Sequence, residues 1–493
     1  MLVVSTASVL QLLIQFAITG VTASYYGATL PTDALAAALA LPTFASAVVT
    51  GSLSYILIPD LVAKFENVET HQEGWRLATF VALVTGVLGA MISGALYFAA
   101  KPITLAFYPE MSAESQVLTQ QCLEILSIQV VLTGLVSWAI AIHHSRHSFF
   151  WPALGGVVGT ACSLAFAIYA GSSSITAIAW AINLGSVVSI AVQAIPLAPS
   201  LGRPQADYGN VLRLLRVFWP LLLGTMYLRI EPLVDRMLAD SLNDEGAISH
   251  INYSQRIMMA LLSLGTSSLA LIAFPQLAAR YADQGLSAFR EHFSLALRRL
   301  WLLIVPIAVG VSCFSVQIVS DLLERDQFTA DDSATVGWLV FATMGMFVGA
   351  SLGELTARAF FVLEDTLTPT VVGVVTLTVG LLIKLALVEH WGIWAIALGV
   401  SSYFLLSAST TLWLLYRRLG GAIFKGSSVN IRDAGIASLV ACGMCFCVYA
   451  TRMGGTWIAA PVGAVVYFSI LLLIKNEQAW QIPQEIAARL RGK

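Results

Sequence analysis

Ionisable side chains inside long apolar stretches are the residues of this sequence that could do chemistry. Five of them are candidates for binding, namely Asp33, Asp235, Arg236, Arg256 and Lys384. A charged side chain near the centre of a bilayer costs about 2.5–3.5 kcal/mol on insertion scales, so such residues usually have a partner. These five residues therefore indicate places where an ion or a charged group is bound within a membrane.

Two further motifs have the residue types of metal sites. Cys442 and Cys445 have C-x-x-C spacing, but no second cysteine pair or histidine cluster lies nearby, so we interpret them as small residues packing in a helix. The run His143–His147 has no carboxylate or cysteine companion, and we expect an interfacial loop near lipid phosphates. The sequence predicts no metal site, no cofactor and no catalytic residue.

Composition determines the class of protein that must position these residues. Hydrophobic residues make up 58% of the 493 residues, charged residues make up 11%, and the mean hydropathy is +0.81. Soluble domains carry about 25% charged residues, so most of this chain must have lipid as its solvent. The net charge of −2 indicates no nucleic-acid partner.

The apolar stretches predict an all-α polytopic membrane protein with about fourteen transmembrane helices, because a bilayer core needs about 20 apolar residues per helix. The predicted spans are 4–27, 33–63, 77–100, 118–142, 150–171, 174–197, 217–240, 249–278, 300–322, 336–362, 370–388, 391–416, 434–451 and 456–474.

The basic residues predict the orientation, since cytoplasmic loops are enriched in Lys and Arg. With the N-terminus in the cytoplasm, 18 of the 26 basic residues fall in cytoplasmic segments. Three fall on the opposite side, namely Lys101, Arg325 and Arg452. We expect both termini to lie in the cytoplasm.

An internal repeat divides the chain. The segment 59–65 (PDLVAKF) recurs 216 residues later as 275–281 (PQLAARY), and Pro152 corresponds to Pro369 at nearly the same offset. We expect a six-helix lobe at 1–210, a related six-helix lobe at 211–420, and two extra helices with a short tail at 421–493. Two repeats of this kind are typical of transporters that work by alternating access.

Several motifs together resemble those of the MurJ/MviN family of lipid II flippases, which is related to the MATE exporters. They are Gly27-Ala28, Thr32-Asp33-Ala34, Leu41-Pro42, Ile58-Pro59, Val234-Asp235-Arg236, Tyr253-Ser254-Gln255-Arg256, the segment 327–332 (QFTADD), the segment 357–361 (ARAFF) and the segment 364–369 (EDTLTP). They occur in the order and spacing of that family over essentially the whole chain.

The resemblance implies a flippase for an undecaprenyl-pyrophosphate-linked peptidoglycan precursor in the bacterial inner membrane. The head group would occupy a central cavity, and the lipid tail would lie along a groove lined by the two extra helices. Membrane lipids would be the other partners, and the protein would be a monomer without enzymatic activity. The resemblance implies substrate contacts for Arg256, Arg236 and Asp33. Arg256 could equally pair with a nearby carboxylate or a helix end, and Asp33 could equally cap a helix together with Thr32.

The first lobe departs from the family. Family members carry several arginines on the first two helices, where the resembling positions here hold Leu13, Ile18, Ser46 and Ala47. No basic residue precedes Lys64. The cargo could therefore be another polyprenyl-linked glycan, such as an exopolysaccharide.

The resemblance also places Asp235 and Lys384 at a cation site of some family members. We hypothesise that the Lys384 ammonium fills that site and pairs with Asp235, which would make a sodium-coupled cycle unnecessary. Lys384 could instead extend to the membrane surface. Glu354 and Arg358, four residues apart, are expected to neutralise each other on one helical face.

The sequence bears on three other classes of protein. A MATE-like exporter would stop near twelve helices. A membrane-embedded enzyme would need catalytic acids on a substantial aqueous loop, and no loop here exceeds roughly twenty residues. A scaffold that has lost its cationic site is compatible with the missing arginines.

Overall fold

The computed structural model describes residues 2–67, 69–200, 226–265, 267–450, 455–474 and 476. Within these ranges the chain is almost entirely α-helical and contains no β-strand. Several predictions fall outside the described residues. They concern the lobe boundary near residue 210, the start of the predicted span 217–240, and the basic residues Arg203, Arg213, Arg216, Arg452, Lys475, Arg489, Arg491 and Lys493.

The chain divides into two compact units. Unit 1 comprises Met1–Asn252 with Arg325–Thr329, and unit 2 comprises Tyr253–Glu324 with Ala330–Lys493. The helices that begin in unit 1 are α1 (Leu2–Tyr26), α2 (Leu30–Glu66), α3 (His71–Phe98), α4 (Ala100–Phe107), α5 (Ala113–Ser127), α6 (Gln129–Ser145), α7 (Phe150–Ala170), α8 (Ile175–Ala194), α9 (Glu231–Asp240) and α10 (Ala247–Gly265). The helices of unit 2 are α11 (Ser267–Leu323), α12 (Ala330–Ala342), α13 (Met344–Val362), α14 (Leu367–Trp391), α15 (Ile393–Leu419), α16 (Ser427–Ala450) and α17 (Gly455–Leu473). The backbone of α11 is non-helical at Gly285 and Phe314, so this segment is kinked.

Length and composition confirm the prediction of an all-α membrane protein. Eleven helical segments of the described chain are long and apolar enough to cross a bilayer, and Ile458–Leu473 is a shorter apolar helix. Every predicted span overlaps a helix in its described part. The count of fourteen spans and the three-part domain division stay predictions.

Helix starts follow local capping chemistry. Thr29 precedes α2, and its backbone N–H donates to Thr32 Oγ1 at 2.9 Å. Before α14, the Asp365 carboxylate accepts from the Thr368 N–H at 3.0 Å and from Thr368 Oγ1 at 2.8 Å. These hydrogen bonds, aided by Arg418, hold the pKa of the Asp365 carboxyl below its ordinary value.

Small residues allow helices of unit 1 to approach closely. A Cβ on Gly159 of α7 would lie 2.4 Å from the carbonyl oxygen of Gly185 on α8. Such small-residue contacts are typical of membrane helices, where lipid offers no hydrophobic drive for association. A buried hydrophobic cluster of unit 1 surrounds Trp138 of α6. The Trp138 Nε1–H donates to the Ala78 carbonyl of α3 at 2.8 Å.

In unit 2, α16 and α17 pack on each other and on α11. The Tyr467 hydroxyl of α17 donates to the Leu302 carbonyl of α11 at 2.7 Å. Cys445 of α16 is buried, and its thiol donates to the Ala459 carbonyl of α17 at 3.0 Å. Cys445 is therefore a packing residue at a helix contact, as the interpretation of the cysteine pair predicts.

One local prediction is wrong in part. His143, His144 and Ser145 belong to the last turn of α6, whereas Arg146 and His147 are exposed in the turn that follows it. His143 is buried, with its Nε2 3.1 Å from the Gln193 carbonyl of α8. The apolar face of α6 extends to this position, so the ring is enclosed between helices instead of facing lipid phosphates.

Candidate functional site

Asp33 lies in the first turn of α2 and binds the start of a distant helix. Its Oδ2 accepts from the Gly246 N–H and its Oδ1 accepts from the Ser249 N–H, both at 2.7 Å. The carboxylate is buried, with 5% of its residue surface exposed. Gly246 has a left-handed φ of 87°, which suits glycine because it lacks a Cβ.

This contact makes Asp33 the cap of α10. The first N–H groups of a helix have no intrahelical acceptor, and their positive end attracts a carboxylate. Thr32 serves the start of α2 itself, so the neighbouring residues Thr32 and Asp33 cap different helices. In this structure both Asp33 oxygens are occupied by backbone donors.

Arg236 is a buried cation of α9. Its Nη1 donates to the Pro232 carbonyl at 2.9 Å and its Nη2 donates to Asn252 Oδ1 at 3.4 Å. Its Nε is buried and has no hydrogen-bond partner within the described residues. The side chain thus keeps an unused donor that an anionic oxygen could accept from.

Lys384 is completely buried in α14 of unit 2. Its Nζ lies 6.0 Å from the centroid of the Tyr403 ring on α15, a cation–π distance. A Cβ on Gly399 would lie 2.3 Å from Lys384 Cγ, so the glycine leaves the space that the lysine stem occupies. The side chain is therefore enclosed by protein and does not extend to the membrane surface. Asp235 is likewise fully buried in its own unit.

The other predicted residues of unit 2 lie as follows. Arg256 is partly exposed on α10. Arg358 and Glu354 form an ion pair within α13, with Nη2 and Oε1 2.6 Å apart. Their predicted mutual neutralisation is confirmed.

The positions that resemble cationic sites of the family are apolar or small here. Leu13 of α1 is 58% exposed, and Ile18 and Ala47 are partly exposed. Ser46 of α2 is buried, and its Oγ accepts from Thr133 Oγ1 at 2.8 Å. The Ser46 hydroxyl therefore links α2 to α6. None of these four side chains carries a positive charge that could bind a phosphate.

No metal centre accompanies these charges in the part of the chain that the structure covers. Within it, no group of three or more His, Cys, Asp or Glu side chains could hold a metal ion. The described residues instead supply individual buried charges, each of which contacts polar or aromatic groups of the protein.

The fold is similar to those of solved multi-pass transporters. It is similar to a solved structure titled "Lipid II flippase MurJ, inward closed conformation", with a TM-score of 0.81, 17% identity, and coverage of 97% of this chain and 99% of that one. It is also similar to an inward-facing multidrug MATE transporter of the MOP superfamily, with a TM-score of 0.71, 15% identity, and coverage of 85% and 96%.

The sequence identifies the family within that class. The profile described as "Lipid II flippase MurJ" matches residues 22–462, so the chain belongs to the MurJ family. The lipid II flippase MurJ of Burkholderia cenocepacia is 24% identical over 395 residues, which is 76% of each chain. A probable lipid II flippase MurJ of Buchnera aphidicola (subsp. Acyrthosiphon pisum) is 22% identical over 425 residues, covering 83% of this chain and 80% of that one.

Replacing Asp33 tests its capping role. Asp33→Ala leaves two buried N–H groups without an acceptor, which costs about 1–3 kcal/mol for each group. We expect a clear fall in the thermal midpoint of the purified protein, and a smaller fall for Asp33→Asn, which keeps one acceptor oxygen. Glu114→Gln, an exposed acidic position at the start of α5, is the control. A midpoint for Asp33→Ala equal to that of the control contradicts the capping role.

Proposed function

We propose that this protein moves lipid II, an undecaprenyl-pyrophosphate-linked peptidoglycan precursor, across the bacterial inner membrane by alternating access. The observation that carries the proposal is the family match over residues 22–462, supported by the lipid II flippases among its relatives. We infer a transporter rather than an enzyme, acting as a monomer without a cofactor. Both termini would face the cytoplasm, as the basic residues predict.

The physical task is to replace the water around a pyrophosphate. That group loses its hydration in hydrocarbon, so the protein must supply donors in its place. Arg236 and Arg256 are the cations we assign to this task. The unused Nε–H of Arg236 supports its assignment, because a buried donor without a partner carries an energetic cost that an anionic oxygen would remove.

Asp33 acts on the substrate indirectly, by holding the helix that carries Arg256. Its carboxylate binds the first turn of α10, and Arg256 lies farther along that helix. We propose that Asp33 fixes the start of the helix that presents Arg256. The cap would have to open if this end of α10 moves during transport.

Asp235 and Lys384 form the proposed coupling site. Each is fully buried in its own unit, and each needs a compensating charge or dipole in a membrane. The Tyr403 ring supplies part of that compensation for Lys384. Their pairing stays a prediction of the sequence, with Lys384 acting as a permanent internal cation in place of a bound sodium ion.

A related flippase function is the second candidate. The absence of basic residues before Lys64 favours a polyprenyl-linked glycan with another head group. A non-transporting scaffold is the remaining alternative, and it would tolerate loss of the assigned arginines.

The arginine assignment predicts a defined pattern of rescue. In cells depleted of their lipid II flippase, we expect the wild-type chain to restore growth and Arg256→Ala to fail. One charge-assisted contact contributes about 1.5–3 kcal/mol, or roughly tenfold or more in affinity. Arg417→Ala, which removes an exposed cation stacked on Trp413, should rescue like wild type.

Membrane expression of each variant is confirmed alongside. Failure of well-expressed wild type would refute lipid II as the cargo. Rescue by Arg256→Ala would remove Arg256 from the substrate path while leaving the cargo assignment intact.

The proposed coupling pair predicts non-additive variants. Asp235→Asn and Lys384→Gln each leave one buried charge unpaired, whereas the double variant leaves none, so its thermal midpoint should exceed that of either single variant. Rescue by the wild-type chain should not depend on external sodium. Additive midpoints in the double-mutant cycle would show that the two side chains do not pair.

A further inference from the structure

An acidic pocket of about 300 Å³ lies within unit 1. It is formed where α2, α5 and α10 begin and where α9 ends. Five carboxylate residues line it, namely Asp33, Glu110, Asp240, Asp244 and Glu245. The distribution of basic residues predicts that these connections face the outside of the cell.

Helix termini do not balance this charge. A helix N-terminus is equivalent to roughly half a positive charge, so three of them offset roughly one and a half of the five carboxylate charges. Even a full positive charge at His250, which interacts electrostatically with Asp33, would leave the pocket with a net negative charge.

Three of the carboxylates have backbone donors. Asp33 accepts from α10, Asp240 Oδ2 accepts from the Glu110 N–H at 3.2 Å, and Glu245 Oε1 accepts from the Leu30 N–H at 3.4 Å. The exposed carboxylates of Glu110 and Asp244 make no hydrogen bond or ion pair within the described ranges. Hydrogen bonds to backbone N–H groups therefore account for three of the five carboxylates. The carboxylates of Glu110 and Asp244 remain able to accept hydrogen bonds from a ligand.

Ser115 gives an independent indication of a ligand. The residue is completely buried, yet it lines this pocket. Its backbone N–H donates to Ser112 Oγ at 3.2 Å, whereas its own Oγ has no partner among the described residues. A buried hydroxyl without a partner is costly, and a polar group bound in the pocket would satisfy it.

The dimensions of the pocket define the class of ligand. Water in the liquid occupies roughly 30 Å³ per molecule, so the space is much larger than a bare ion requires. The carboxylates also do not converge as metal ligands do, since the described residues contain no metal-binding group of acids. Spaced carboxylates suit separate ammonium groups, each of which donates three hydrogen bonds.

We propose that this pocket binds an organic cation carrying primary ammonium groups. The amine could be a free polyamine or the head group of an amine-bearing phospholipid, which share this chemistry. The proposal does not depend on the cargo that the protein transports.

Spermidine binding to the purified full-length chain tests the proposal. Calorimetric titration at fixed ionic strength should show saturable binding, with no equivalent binding of Mg²⁺. Glu110→Gln and Asp244→Asn should each weaken it about tenfold, as expected for loss of one charge-assisted contact. Ser115→Ala should weaken it several-fold without lowering the thermal midpoint. Glu114→Gln, an equal loss of charge on the exposed surface outside the pocket, should leave affinity unchanged.

The bilayer composition distinguishes the two sources. Weaker spermidine binding in phosphatidylethanolamine nanodiscs than in phosphatidylcholine nanodiscs would identify the lipid head group as the occupant. Equal binding would identify a free amine, and both results support the pocket. Absence of saturable binding, equal weakening by Glu114→Gln, or preferential binding of Mg²⁺ would overturn the proposal.

Discussion

Hydrocarbon provides no hydrogen bonds, and the structure of this protein depends on that constraint. Backbone groups are satisfied within helices, and charged side chains in the spans must be enclosed by protein or lie beside water. Lys384 lies fully buried beside Tyr403 and Gly399, and Arg236 is held by a carbonyl and an amide oxygen. Each charge therefore marks a place where the protein itself acts as the polar solvent.

The same constraint explains why Asp33 is important. A helix that begins near the membrane exposes N–H groups, and Asp33 supplies acceptors for two of those at the start of α10. A carboxylate suited to substrate contact is thereby used to place a helix. Moving that helix would require another acceptor for its N–H groups, so the cap adds a barrier to any rearrangement at this end of unit 1.

The helical architecture could be predicted from the sequence, because stretches of about 20 apolar residues are a strong indication of membrane-spanning helices. The ion pair between Glu354 and Arg358 could be predicted as well, because residues four apart lie on the same face of a helix. The Asp33 contacts could not be predicted, since Gly246 and Ser249 lie more than 200 residues away. The acidic pocket was missed for a similar reason, because its carboxylates lie on separate connections. The sequence also does not predict that His143 is buried. Its neighbours in the sequence are polar, and the helix that encloses it, α8, lies about 50 residues later in the chain.

Direct observation of lipid movement tests the central claim, which is that this MurJ family member flips lipid II. The purified chain would be reconstituted in liposomes with lipid II that carries a fluorophore on its stem peptide. A membrane-impermeant reductant would then be added outside. If the protein flips lipid II, quenching will exceed the outer-leaflet share in a protein-dependent manner, and unlabelled lipid II will compete. Quenching limited to the outer leaflet, with liposomes shown to contain folded protein, would contradict it.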